Sequence, residues 1–310
     1  VRRFPPLEPY ARGLLEHDGQ SLYWETSGSP AGEPALFLHG GPGGGLGSGY
    51  RRNYDPERFR VIGLDQRGCG RSRPLADRGN LATNTMDHLV ADLEALRVHL
   101  DVDAWWVCGV SFGTTLALTY ATRHPERVRG LVLGAVGTGS SAEIRWMTET
   151  IGAVFPEAWD AYAQAVPRSS AQSLLDAYLA ALTHDDPAVR VQAARAWCAW
   201  EAAHVSLAGH TGFDGLDDET AYRFALLVVH YWRASCFLAE GEIWQALPGI
   251  TRLPCALVHG RRDVSSPLRT AWRLHRAWPG SHLVVVEDEG HGGPQTAEAL
   301  TAAIHRVAGG

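Results

Sequence analysis

The chain has little of what marks a nucleic-acid, secreted or membrane protein. Basic residues form no run: arginines cluster only briefly, as at Arg51-Arg52 and Arg261-Arg262, and the net charge is −6. Nucleic acid is therefore not an expected partner. Cysteine is sparse. Cys69, Cys108, Cys198, Cys236 and Cys255 are odd in number, widely scattered and nowhere spaced C-x-x-C, which reads as free thiols in a reducing compartment rather than a disulfide framework. No apolar run approaches the roughly 18–20 residues of a membrane span; the longest candidate, around Phe224 to Val229, ends at His230. The opening Val1-Arg2-Arg3-Phe4-Pro5-Pro6 lacks the apolar stretch and small-residue cleavage site of a secretory signal. The expectation is a cytoplasmic protein with no membrane partner. Internal repeats and low-complexity linkers are also missing. What remains is 310 residues at 45% hydrophobic content, enough for the core of one large α/β domain with room for an inserted subdomain.

The stretch Cys108-Gly109-Val110-Ser111-Phe112-Gly113-Thr114-Thr115 organises the rest. An apolar run, Ala104-Trp105-Trp106-Val107, leads in and an alanine/leucine-rich helical pattern, Leu116 to Thr122, leads out, so Ser111 sits at a strand-to-helix junction. Gly109-x-Ser111-x-Gly113 fits a nucleophile elbow: the serine stands on a tight turn, and only residues without a large side chain fit on either side. The same turn aims the Phe112 N–H at the place where an oxyanion forms. Taken alone the spacing is a common Gly/Ser turn. Strand before, helix after and partners elsewhere distinguish it.

Taken in order, residues 20 to 40 alternate as paired strands, Ser21 to Thr26 and Ala35 to Leu38, ending in His39-Gly40-Gly41-Pro42-Gly43-Gly44-Gly45. That loop has no Gly-Lys-Ser/Thr ending and opens no helix as G-x-G-x-x-G, which argues against phosphate. It suits the second half of an oxyanion hole, with the Gly41 amide as donor. Arg60 to Asp65 reads as a buried strand followed by a loop, Gln66 to Ser72, that braces the glycine loop; Asp65 and Arg67 are expected to be a structural charge pair. Thr85 is a candidate N-cap for a helix carrying Leu89, Leu93, Leu96 and Leu100. Gly130 to Gly134 is the next buried strand, and strand, helix, strand, helix in this order gives a mostly parallel sheet with helices on both faces. From about 137 to 245 strand signals vanish and Trp, Ala and Leu recur at helical spacing. This segment is expected to be a helical cap, leaving 1–136 and 246–310 as an α/β core.

A serine needs a base, and the base an acid. Asp263 and His291 both follow late strands, Cys255 to Gly260 and His282 to Val286, which puts them at the same carboxyl edge of the sheet as Ser111. Among the other histidines, His259 belongs to its strand and His275 and His305 to helices. Asp288 is a rival acid, but it would have to double back within three residues of His291. No metal or organic cofactor is required by this chemistry.

The His-Gly-Gly-Pro-Gly-Gly-Gly loop, the Asp-Gln-Arg-Gly-Cys-Gly-Arg-Ser loop, the elbow and the His-Gly-Arg-x-Asp and Gly-His loops together resemble the proline iminopeptidase (prolyl aminopeptidase) family of α/β-hydrolase serine peptidases. The similarity runs from about Tyr23 to the C-terminal helix. The resemblance implies an α/β-hydrolase fold with an inserted cap, and release of N-terminal proline, or a related small or cyclic amino acid, from a peptide, amide or ester through an acyl-enzyme. It also implies cap glutamates that hold the substrate's free amino group. Ala196 to Glu201 is similar to the family's Trp-x-x-Trp-Glu stretch, which gives Glu201 that role. A second such glutamate stands two residues before a His-Tyr pair in the family; here the pair is His230-Tyr231, carried over as candidate substrate-binding residues, and the matching position is Val228. The stretch after Gly134 also lacks the family's bulky and basic residues. These departures keep two other readings open: a cap-remodelled esterase, amidase or lactonase on a non-peptide acyl group, and a hydrolase-fold protein that binds without turnover.

Overall fold

The chain opens with a hairpin whose turn chemistry is visible in Asp18-Gly19. Both residues have positive φ, 48° and 70°, as a two-residue turn between right-twisted strands requires. It joins β1 (Ala11–His17) to β2 (Gln20–Gly28). A computed structural model describes residues 2–205, 213 and 215–309. Positions 206–212 and 214, within the expected cap, lie outside the described residues. The remaining strands are β3 (Glu33–Leu38), β4 (Phe59–Leu64), β5 (Trp105–Val110), β6 (Val128–Gly134), β7 (Cys255–Gly260) and β8 (His282–Val286). They form one eight-stranded sheet in the order β1-β2-β4-β3-β5-β6-β7-β8. β2 runs antiparallel to both its neighbours, β1 and β4, and the other neighbouring strands pair in parallel. The expected pairing of residues 21–26 with 35–38 does not form: β4 lies between them, because the Asp-Gly turn commits β2 to β1 and β3 crosses over to a parallel partner.

The central strands are buried on both faces, as parallel strands between helical layers must be. Leu36 and Leu38 pack with Leu93 of α1 (Met86–His99) and Leu116 of α2 (Phe112–Arg123). Ala35 and Phe37 point the other way, into a second cluster with Leu300 and Ile304 of the C-terminal helix. Thr85 caps α1, accepting from the His88 N–H. Between β6 and β7 the described residues hold helices and no strand: α3 (Ser141–Thr148), α4 (Pro156–Gln164), α5 (Leu174–Leu182), α6 (Pro187–Val205), α7 (Asp218–Arg233) and α8 (Glu242–Ala246). Their core is aromatic. Tyr162 stacks on Tyr178 and Trp200 with centroids 4.7 and 5.2 Å apart, and Trp197 meets both tyrosines edge-on. The Trp200 indole N–H donates to the Met147 carbonyl at 3.0 Å, which fixes α6 over the end of α3. The chain closes with α9 (Arg269–Ala277) and α10 (Pro294–Gly309).

Candidate active site

Ser111 is the link between β5 and α2 and has φ 54°, ψ −127°, a conformation that costs a non-glycine residue about 1–3 kcal/mol. The flanking glycines make the turn possible. A Cβ on Gly109 would stand 2.2 Å from the Gly113 carbonyl oxygen, and one on Gly113 would stand 2.2 Å from that of Leu38. The turn is held from outside as well, by the Ser111 N–H donating to Gly134 O at 2.9 Å.

Asp263 and His291 reach Ser111 from the loops after β7 and β8. His291 Nε2 lies 2.9 Å from Ser111 Oγ, and Nδ1 lies 2.9 Å from Asp263 Oδ2. The Ser266 N–H occupies the other Asp263 oxygen at 2.8 Å. Burial pushes the Asp263 carboxyl up, but the adjacent His291 outweighs it and the group sits below its ordinary value. For His291 burial pulls down, and the Asp263 charge and hydrogen bond bring the imidazole above its ordinary value. The two loops lie backbone against backbone. The amides of Arg261 and Arg262 donate to Val286 O and Glu289 O at 2.8 and 3.0 Å, and a Cβ on Gly260 would come within 2.0 Å of the Gly290 oxygen. Asp288 turns outward to Arg262 at 2.8 Å, away from His291. His259 accepts from the Val136 N–H through Nδ1 at 3.0 Å and gives its Nε2–H to Ser266 O. Held neutral by burial, it supports the acid loop from behind.

Gly41 and Phe112 flank Ser111. As the first residue of α2, Phe112 has an N–H with no partner inside the helix. Gly41 has φ 117°, and a Cβ there would collide with the Gly43 and Gly44 amides. The glycine loop is braced by the segment after β4, through partners other than those expected. Asp65 accepts from the Leu46 N–H at 2.6 Å and from the Arg71 N–H and Nε at 2.9 and 2.7 Å. Arg67 instead makes a bidentate pair with Asp92 on α1, both bonds 2.7 Å and both side chains fully buried. The Asp65–Arg67 pair does not exist because the turn at Gly68 to Gly70 brings Arg71 back onto Asp65. Gln66 adds a bond from its side-chain amide to His39 O at 3.0 Å and one from its N–H to His39 Nε2 at 3.1 Å.

Two cavities meet at Ser111, of about 60 and about 210 Å³, sharing Gly41, Ser111, Met147, Trp232, Ser265 and Ser266. The smaller extends to Phe112 and Thr115, the larger to Glu201, Phe224 and His291. Glu201 is 5% exposed and its Oε1 has no hydrogen bond. Burial pushes this carboxyl up to about 7, with His291 and the Trp197 indole beside it opposing. The sequence-derived residues His230 and Tyr231 are not brought to either cavity. His230 Nε2 lies 2.9 Å from Asn84 O, and Tyr231 packs edge-on against Phe112 and Phe237. The α7 residues that face Ser111 are Phe224 and Trp232, and Val228 lies between them on the same stripe, fully buried. Sequence reasoning missed His204, which sits one turn after Glu201 on α6; its i+3 spacing from Glu201 was the available signal. Among the described residues no group of three or more His, Cys, Asp or Glu could hold a metal ion, and no helix is long and apolar enough to cross a membrane.

A family profile described as the alpha/beta hydrolase fold matches residues 34–294. The chain is 43% identical over 316 residues to a probable proline iminopeptidase of Streptomyces coelicolor, covering 99% of this chain and 98% of that one. It is 40% identical over 294 residues to a proline iminopeptidase of Arabidopsis thaliana, covering 93% and 77%. Among solved structures, a proline iminopeptidase-related protein from Thermus thermophilus matches with a TM-score of 0.57 at 21% identity, covering 96% of this chain and 98% of that one. An esterase from Exiguobacterium antarcticum matches at 0.59 and 20%, covering 95% and 98%. At those identities the structures share the fold alone.

Proposed function

Because the chain belongs to the proline iminopeptidase family of α/β hydrolases, we propose that it is a serine hydrolase releasing N-terminal proline from small peptides or amino-acid amides through an acyl-enzyme. The observation that carries this reading is the unbroken chain Asp263–His291–Ser111, opening onto the same cavity as the buried Glu201. Ser111 Oγ attacks the prolyl carbonyl and His291 Nε2 takes its proton. Asp263 holds the imidazole in the tautomer that accepts at Nε2 and stabilises the cation that forms. The amides of Gly41 and Phe112 receive the oxyanion, each such donor being worth on the order of 3 kcal/mol in the barrier. His291 returns the proton to the leaving amine. A water, deprotonated by the same imidazole, then releases proline from Ser111.

Glu201 takes the substrate's ammonium in a charge-assisted hydrogen bond. The positive charge brings the carboxyl down from about 7 and gives the buried carboxylate a hydrogen-bond donor. Residues 1–136 and 246–310 then act as the hydrolase core and 137–245 as a cap that selects the substrate. The free, buried thiols support a reducing, cytoplasmic setting.

The test compares proline β-naphthylamide, its N-acetyl form and a short-chain ester on wild type and Glu201→Gln. Cleavage of the free-amine amide with large losses on acetylation and in Glu201→Gln is the expected result. Cleavage of the ester alone, indifferent to Glu201→Gln, would replace this reading with an esterase, amidase or lactonase whose apolar wall includes Phe224 and Trp232.

A further inference from the structure

His204 is 1% exposed, and its position leaves it half satisfied. Nδ1 lies 3.1 Å from Ser265 Oγ. Nε2 has no hydrogen bond and stands 4.0 Å from Glu201 Oε2. Glu201 Oε1 is unpartnered as well. Two unsatisfied polar groups side by side in a packed interior are rare, and each calls for an explanation. Glu201 lines the larger cavity, and so does Ser265, which lies against the imidazole; His204 stands directly behind these two. Across the cavity α7 presents Phe224 and Trp232, and so contributes no charge.

We infer that His204 is a specificity-determining residue whose Nε2 and the Glu201 carboxylate together receive the two N–H bonds of the secondary ammonium at an N-terminal proline. The inference rests on the aminopeptidase reading of this site. A protonated prolyl terminus carries two N–H donors and one positive charge. One carboxylate and one neutral imidazole offer two acceptors and one negative charge, so the bound group buries no net charge; a second carboxylate would leave one uncompensated. His204 is assigned the Nδ1–H tautomer, which the Ser265 hydroxyl accommodates because it can accept as well as donate. With Nδ1–H donated to that hydroxyl, Nε2 presents a lone pair. Burial, helped by the neighbouring His291, pushes the imidazole down to about 3 and so keeps it neutral. The space between Nε2 and Oε2, 4.0 Å apart, is closed to water in this structure, so the ammonium enters as the two groups part, making bonds of about 2.8–3.0 Å to both. A primary ammonium brings a third N–H that this pair does not receive, which favours proline over alanine at the amino terminus.

Asparagine and glutamine separate contact from support, because the asparagine amide reaches the place of Nδ1 and the glutamine amide that of Nε2. His204→Asn keeps a partner for Ser265 and loses the acceptor at Nε2. It should lower kcat/KM for proline β-naphthylamide about 10–100-fold, mainly through KM, and reduce the prolyl-to-alanyl preference. Hydrolysis of p-nitrophenyl acetate and fluorophosphonate labelling of Ser111 should stay within about twofold of wild type, a range that also reports an intact fold. His204→Gln should retain most of the prolyl activity. Parallel loss on both substrates in His204→Asn, or no loss on either, would overturn the inference and leave His204 as a brace for the Ser265 loop. A His204→Gln variant as impaired as His204→Asn on the prolyl substrate would overturn it too. If wild type itself cleaves the acetate but no prolyl amide, the aminopeptidase reading fails first and takes the inference with it.

Discussion

Replacing Glu201 by glutamine should stabilise the protein at alkaline pH and leave it nearly unchanged at acid pH, while removing the carboxylate proposed to hold the substrate's amine. The carboxyl stands at about 7 in the folded chain against an ordinary 4.5. Each tenfold difference in proton affinity is about 1.36 kcal/mol, so the ionised form is disfavoured by folding by about 3 kcal/mol. The sign follows from the direction. An acid raised on folding contributes its stability in full below about 4.5 and loses it as pH rises to about 7, since the unfolded chain sheds the proton first. Above about 7 the whole cost is present, and glutamine, which does not ionise, escapes it. For a chain of this length about 3 kcal/mol moves the thermal midpoint by about 5 °C. Thermal unfolding of wild type and Glu201→Gln at pH 5 and pH 8.5 measures it. The variant should melt about 5 °C higher at pH 8.5 and within about 1 °C at pH 5. An equal difference at both pH values, or a lower midpoint at pH 8.5, would refute the argument that burial alone raises this group.

Other outcomes follow from the same contacts. Asp263→Asn preserves shape but favours the wrong tautomer of His291 and should lower kcat about 10⁴-fold at near-native stability; thermal unfolding and steady-state assays check both halves. Gly113→Ala drives a methyl into the Leu38 carbonyl, 2.2 Å away, and should cost about 1–3 kcal/mol or the soluble protein itself, whereas Gly47→Ala meets nothing within 4 Å and should be silent in the same denaturation assay. Arg67→Ala strands the buried Asp92 and should cost about 3–5 kcal/mol by urea unfolding; Arg261→Ala, which breaks an exposed pair with Glu287, should leave the midpoint in place. The rate on a prolyl amide should rise with pH through about 7 more steeply than the rate on an ester, because the amide needs Glu201 ionised as well as His291 neutral. A pair of pH–kcat/KM profiles that coincide would count against Glu201 as the amine anchor.

Much of this was legible in the chain because single residues carried it. Gly109, Ser111 and Gly113 announce the elbow through a steric requirement that few other residues meet, and the apolar runs before Asp263 and His291 place them by topology. Pairings were less legible. The Asp18-Gly19 hairpin signal stood in the sequence, but the competing alternation of residues 21–26 and 35–38 hid that β4 separates them. The partners of Asp65 and Arg67 depend on how tightly Gly68 and Gly70 turn, which charge spacing does not encode. His230 and Tyr231 adjoin the stripe that faces the cavity, and one residue of helix rotates a side chain about 100° away from it. His204 shows the opposite failure: its i+3 spacing from Glu201 was visible, but that its second nitrogen is left without a partner is decided by what surrounds it.

The close approach of Gly260 to the Gly290 oxygen has a mechanical consequence. Acid and base are spaced by main chain against main chain, with two backbone hydrogen bonds stitching the loops, so the Asp263–His291 spacing is fixed by the backbone itself. Ser111 stands on a separate strand and is tied to the β7 side through its N–H to Gly134 O. A shift of β5 against the β7–β8 pair would therefore fall on the Oγ–Nε2 gap rather than on the Asp263–His291 bond. Rigidifying the elbow, not the acid, is where an engineer seeking activity at higher temperature would begin.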